Sequence, residues 1–192
     1  MNGFELRRQK KINAIIQAAT QLFCTHGINS VSIVSIAKKA AVSPVSIYNY
    51  FGSKENLVKQ VIFFLMENEM QKYEKLFDDR IPFINKFENM FLNKMDAITV
   101  YSEEFLRSSI WKEPFVQDLL EQFFQTRTVP LMIKLIEQGK QEGYVNPDLS
   151  NNAVVLYMKM FKNELINMEL SNKDRHDLTL LFFYGLLGKQ TH

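Results

Sequence analysis

Apolar residues recur at helical spacing along almost the whole of this chain. Ile12, Ile15, Ile16, Ala19, Leu22 and Phe23 fall at i, i+3, i+4, i+7, i+10 and i+11, a single stripe on a helix of about five turns. Gly27 follows as the stop, because helices commonly end on a residue that takes a left-handed conformation. A short second helix starts near Ser32 and buries Ile33, Ile36, Ala37 and Ala40. Ser43 then reads as an N-cap with Pro44 at the first helical position, a strong start signal for a third helix. Gly52 ends that helix after about two turns. Ser53 caps a fourth, whose stripe is Leu57, Val58, Val61, Ile62 and Leu65.

Beyond residue 80 the predicted helices lengthen and fill with Phe, Met and Leu. Ile84, Phe87, Phe91, Met95 and Ile98 make one stripe, and Phe115, Leu119, Leu120 and Phe123 begin another that Pro130 should kink or divide. Gly139 and Gly143 end it, and Asn146-Pro147-Asp148 makes a turn before Ser150 opens the next helix. Two last patterns, 153–168 and 174–188, are apolar on more than one face. No alternating run of strand length survives. The expected fold is all-α, with about nine helices.

Charge changes this picture. Residues 1–60 carry eight Lys and Arg against Glu5 and Glu55, a balance of +6, whereas the other 132 residues balance at −4. A basic N-terminal third on an acidic body is suited to meeting a polyanion. Composition is otherwise that of an ordered globular protein, 46% hydrophobic and 23% charged with 7 Gly and 5 Pro. The single cysteine, Cys24, lies beside Leu22 and Phe23 and is expected to be a buried thiol in a reducing compartment. The charged start of the chain is unlike a signal peptide, and the longest apolar runs, 61–66 and 178–187, are too short to span a bilayer. A cytoplasmic protein is expected.

The second and third helices are separated by only Ala41, Val42 and Ser43. Two short helices on a three-residue turn form a helix-turn-helix, whose second helix enters the major groove of DNA. Ile47 and Phe51, four apart, must face inward. Pro44, Val45, Ser46 and Asn49 are left on or near the outward, base-proximal face. Their small size favours close approach to the groove floor. Pro44 and Val45 can meet thymine methyls and Ser46 can bond a base edge. No Arg is present for bidentate guanine reading, so shape and backbone contacts should carry much of the specificity. Lys54, in the first turn of the fourth helix behind the Ser53 cap, is well placed as a phosphate clamp, and Ser32 and Ser43 would do the same at the starts of their helices.

From Ile12 to Val61 the chain resembles the DNA-binding domain of the TetR family of transcriptional regulators. The matching residues are Ala18-Ala19, Leu22-Phe23, Gly27, Ser32, Ile36-Ala37, Val42-Ser43, Ile47-Tyr48, Tyr50-Phe51, Ser53-Lys54-Glu55 and Leu57. The resemblance implies that the Tyr48 and Tyr50 phenols hydrogen-bond phosphates flanking the groove; the alternative for Tyr48 is a core ring. It further implies a homodimer, a small-molecule effector and usually repression. Two departures stand out. Ala41 occupies a turn position where the family often has Gly, at a cost of up to about 1–2 kcal/mol if the angle is left-handed. Val34 offers no polar readout where some members reach a base.

The expected organisation is a DNA-binding domain at 1–56, continuing into the start of helix four, and an effector-binding and dimerisation body at 57–192. Ten of the 16 Phe lie after residue 80. Phe87, Phe91, Met95, Phe105, Trp111 and Phe123 are either the lining of an apolar effector pocket or plain core and interface residues. Val154, Tyr157, Met160, Phe161 and Leu165 on one helix, with Leu180, Phe183, Tyr184 and Leu187 on the last, form apolar faces expected to pair across a two-fold axis as a four-helix bundle. Such a dimer calls for a palindromic operator.

The three histidines, His26, His176 and His192, are scattered, and no HExxH, GxSxG, phosphate-binding Gly loop or Cys/His ligand set occurs. No enzyme activity, cofactor or metal is therefore expected. The competing reading is a helical ligand-carrying or protein-interaction protein that retains a vestigial DNA-binding domain.

Overall fold

The computed structural model describes residues 3–77, 80–87, 89, 101–167, 171, 173, 174, 177, 178, 181 and 185, excluding the side chains of 161–167. The fold is all-α, and no strand occurs among the described residues. The helices are α1 Gly3–His26, α2 Ile33–Lys39, α3 Pro44–Phe51, α4 Lys54–Leu76, α5 Glu103–Leu106, α6 Pro114–Phe123, α7 Val129–Gln141 and α8 Asn151–Asn167. A 3₁₀ turn, Ser109–Lys112, precedes α6, and residues 83–87 are also helical.

Local chemistry explains several boundaries. Ser32 and Ser43 are the caps of α2 and α3, each in extended backbone with its hydroxyl accepting a backbone N–H three residues on. Pro130 neither ends nor sharply breaks its segment. A single π-helical turn, Phe124–Thr128, joins α6 to α7 and leaves Pro130 in the first turn of α7. A proline ring crowds the carbonyl four residues before it and supplies no N–H, and the wider turn accommodates both facts. The helix α1 begins nine residues before the predicted stripe, at Gly3 rather than Ile12, and residues 3–10 are all exposed.

The chain divides into two compact units. The first joins Met1–Lys72 to Met95–Gln122. Its core is built from Ile15, Ala19 and Phe23 of α1, Ile36 and Ala37 of α2, Ile47 of α3, and Leu57, Val61 and Ile62 of α4. Phe105 and Val116 complete it, so the helix-turn-helix shares its core with a segment more than forty residues further along. That segment is fastened by Ser102 N–H donating to the Cys24 carbonyl at 2.9 Å. At Gly27, where φ is +75°, a Cβ would come within 2.9 Å of the Glu104 Cβ. Glycine is required there both for the backbone angle and for the close approach of α5.

The second unit comprises Tyr73–Lys94 and Phe123–His192. Phe83, Phe87, Phe124, Leu135, Ile136, Val145 and Met158 form its core. Lys86 is the one charged residue buried in the described chain. Its Nζ donates to Gln138 Oε1 at 2.6 Å and lies 5.6 Å from the centre of the Phe77 ring. Gln138 in turn donates to the Ile81 carbonyl at 3.0 Å and to Glu142 Oε1.

Candidate nucleic-acid interface

The turn between α2 and α3 is fixed by backbone geometry at one residue. Ala41 sits at φ +53°, the only non-glycine residue with positive φ among those described. The left-handed angle anticipated at this position is thus adopted with a methyl group present. It reverses the chain so that Val42 N–H reaches the Ala37 carbonyl at 3.0 Å.

On α3, Ile47 and Phe51 are buried and hold the helix to α1 and α2. Val45, Tyr48 and Asn49, spaced i, i+3 and i+4, share the opposite face and are all exposed, with Pro44 beside them at the helix start. Val45 is 65% exposed and Tyr48 50%, so the Tyr48 ring is not a core ring. Ser46 is set apart from this group. It is partly buried, and its hydroxyl is hydrogen-bonded to that of Ser43 at 2.8 Å. The face directed outward is therefore short-chained and apolar at Pro44 and Val45, with one amide at Asn49. Val34 on α2 is exposed as well, at 65%.

Tyr50 lies on the other flank of α3, half-buried against the core. The Arg8 guanidinium of α1 stands 5.9 Å from the centre of its ring. At the end of α3, Gly52 takes φ +75° and its N–H bonds the Tyr48 carbonyl at 2.8 Å. Ser53 then caps α4 by accepting the Asn56 N–H at 3.0 Å, while Asn56 Nδ2 reaches back to the Phe51 carbonyl. Asn56 was not singled out from sequence. Its spacing of three from Ser53 is the signal that marks it.

Lys54 has a tertiary partner the sequence does not reveal. Its Nζ donates to the Ile28 carbonyl at 2.9 Å, and partial burial lowers the ammonium pKa from its ordinary value. An ammonium has three donors, so this bond fixes the side chain across the α1–α2 turn and leaves others for an anion. Ser32, the remaining phosphate candidate, is exposed, and its hydroxyl accepts the Ser35 N–H at 3.1 Å.

The described candidate pocket residues fall in both units. Phe105 is buried in the first unit, stacked with Tyr101 at 5.3 Å and edge-on to Trp111 at 5.2 Å. The Trp111 indole N–H is committed to the Phe105 carbonyl at 2.8 Å. Phe87 and Phe123 are buried residues of the second unit, and Phe91 and Met95 lie outside the described residues. Of the candidate dimer residues, Val154 is buried in the second core, while Tyr157 and Met160 are exposed, Met160 at 68%. Leu156 and Leu181 are also exposed. Gly185 lies so close to Tyr157 that a Cβ would come within 2.9 Å of the phenolic oxygen. The side chains of Phe161, Leu165, Leu180, Phe183, Tyr184 and Leu187 fall outside the description.

Residues 15–61, which contain the whole of this interface except Arg8, match the family described as bacterial regulatory proteins, tetR family. The transcriptional repressor KstR2 of Mycobacterium tuberculosis is 22% identical over 152 residues, covering 76% of this chain and 74% of its own. A transcriptional regulator from Cytophaga hutchinsonii shares the fold with a TM-score of 0.75 at 18% identity, over 93% of this chain and 99% of its own. The fatty acid degradation regulator FadR from Bacillus halodurans does so with a TM-score of 0.64 at 24% identity, over 95% and 97%.

Proposed function

Since the chain is a TetR-family transcriptional regulator that binds DNA, we propose that it is a repressor, acting as a homodimer on a palindromic operator and released by a small apolar or aromatic effector. The observation that carries the DNA-binding part is the exposed face of α3. Pro44, Val45 and Asn49 are exposed on it together with Tyr48, and α2, α3 and α4 each begin behind a capping serine. Base reading falls to Pro44, Val45 and Asn49, with Ser46 contributing when its hydroxyl leaves Ser43. Phosphate contacts come from Ser32, Ser43, Tyr48, Tyr50 and Lys54. These fix register but carry no sequence information.

Dimerisation is assigned to α8 and the chain beyond it. Leu156, Tyr157 and Met160 of α8 and Leu181 after it are apolar yet exposed. An apolar surface of this kind is expected to be covered by a second copy. Phe161, Leu165, Leu180, Phe183, Tyr184 and Leu187 belong to the same proposed surface.

An apolar effector is supported by the aromatic content of the body, and by relatives named for ketosteroid regulation and for fatty acid degradation. We assign its lining to Phe87, Phe91 and Phe123. Phe105 and Trp111 are read as structural, because each already closes contacts within the first unit. Release follows from a population shift: the effector binds better to a dimer geometry in which the recognition helices no longer match the operator spacing.

Selection of bound duplexes from a random DNA pool tests the reading. Enrichment of inverted half-sites with centres about 34–36 Å apart or somewhat more is expected. Recovery of no enriched sequence would reject the operator reading. A candidate effector must weaken operator binding by the same factor as operator weakens its own binding.

A further inference from the structure

We infer that the exposed N-terminal turns of α1 are a second DNA-contacting element, in which Arg8, Arg7 and Lys11 bind backbone phosphates flanking the site of α3. This rests on the DNA-binding reading above and extends it to residues outside the helix-turn-helix. The helix α1 is continuous from Gly3, yet its first buried residue is Ile15. Ile12, partly buried, is the first residue packed against the core, so Arg7 stands about 7–8 Å along the axis beyond the packed part of the helix. No core contact requires these turns, and residues 3–10 are exposed throughout.

The direction in which the charges point is set by helical spacing. Arg8, Ile12, Ile15 and Ala19 lie at i, i+4, i+7 and i+11, and Lys11, Ile15 and Ala18 at i, i+4 and i+7. Arg8 and Lys11 thus continue, past the edge of the core, the same stripe with which α1 grips α2 and α3. Beyond that edge this stripe faces the space that DNA would occupy on α3. The contact of Arg8 with the Tyr50 ring at 5.9 Å bears this out, because Tyr50 belongs to α3 itself. A guanidinium over a ring face keeps its N–H groups at its edge, from which they can donate to an anion.

The competing partner of Arg8 is Glu5, 3.7 Å away with both side chains about half exposed. Such a pair is weakly held, and a phosphate can displace it. The contact is with phosphates rather than the minor-groove floor, because a helix about 10–12 Å across does not enter a groove about 6 Å wide. The arm therefore adds affinity and lengthens the footprint without adding sequence preference.

Salt dependence of binding by the full-length chain to a 40-bp mixed-sequence duplex tests this directly. Each lost phosphate contact lowers the slope of log K against log salt by about 0.9. The triple variant Arg7→Ala, Arg8→Ala, Lys11→Ala is expected to lower it by about 2–3, with an unchanged thermal midpoint. Arg8→Lys, which keeps the charge, is expected to retain the wild-type slope. A charge-matched control, Lys75→Ala with Lys112→Ala and Lys134→Ala on exposed sites elsewhere, should leave it unchanged. An unaltered slope in the triple variant would overturn the arm, as would an equal drop in the control, which would reduce the effect to net charge. Absence of salt-dependent binding by the wild type would overturn the DNA-binding reading itself, and is visible in the first titration.

Discussion

Ala41 carries the clearest single-residue strain in the first unit. An L-residue at φ +53° crowds its Cβ against the backbone at a cost of about 1–2 kcal/mol. Glycine relieves that cost but adds freedom to the unfolded chain, which takes back about 0.5–1 kcal/mol. Ala41→Gly is accordingly expected to stabilise the protein by about 0.5–1 kcal/mol, read as a rise in the urea midpoint with an unchanged m-value. A fall would mean that the methyl makes a contact worth more than the strain. Gly27→Ala should act in the opposite direction. It meets both a positive φ and the Glu104 Cβ, and a loss of about 1–3 kcal/mol is expected from the combination. Chemical denaturation of the two variants side by side separates a strained alanine from a required glycine.

At the scale of the element, α3 depends on its cap. It has only eight residues, too few to be helical alone, and the Ser43 hydroxyl both accepts the Ser46 N–H and pairs with the Ser46 hydroxyl. Ser43→Ala is expected to cost about 1 kcal/mol of stability. It should also weaken DNA binding beyond one lost phosphate contact, because the start of the reading helix frays. A gel-shift titration at two temperatures would show the deficit growing on warming. These caps were legible in the sequence because their chemistry is local: Ser-Pro at 43–44, Ser-Lys at 53–54, and glycines at 27 and 52 each act within four residues. The early start of α1 was not legible. Residues 3–10 have no apolar stripe, and periodicity is the signal by which a helix is read. The π turn before Pro130 was equally hidden, since the sequence marks the obstacle but not how the backbone yields.

The whole molecule shows where local signals end. The burial of Phe105 and Val116 in the core of the helix-turn-helix, and the bond from Lys54 to the Ile28 carbonyl, join residues tens of positions apart. No spacing rule predicts either. The outward face of α3 was read correctly at Pro44, Val45 and Asn49, where helical period alone decides exposure. Ser46 differed because its hydroxyl found a partner across the cap. Stability of this assembled unit should depend on pH in the alkaline range. Burial raises the pKa of Tyr101, with Glu69 and Cys24 adding to it, and burial also raises that of Cys24. The native state therefore holds these protons to higher pH than the unfolded chain does. Their contribution is complete below the ordinary thiol and phenol values, about 8.5–10, and declines as pH rises beyond them. Thermal midpoints measured from pH 8 to pH 11 should fall over that interval, and Tyr101→Phe should shallow the decline.

The position of Cys24 has a practical consequence. The only cysteine in the chain is partly rather than fully buried, and its carbonyl receives the Ser102 N–H of the docked segment. Its partial burial and the raised pKa that follows from it both slow attack on an alkylating reagent. A maleimide thus becomes a built-in clock for the separation of residues 101–111 from α1. Labelling should be slow in the native protein, approach the free-thiol rate in denaturant, and quicken in Gly27→Ala, where α5 is pushed away. An effector that loosens this seam would speed the clock and one that tightens it would slow it, so a screen for regulatory ligands needs no operator sequence and no added label site.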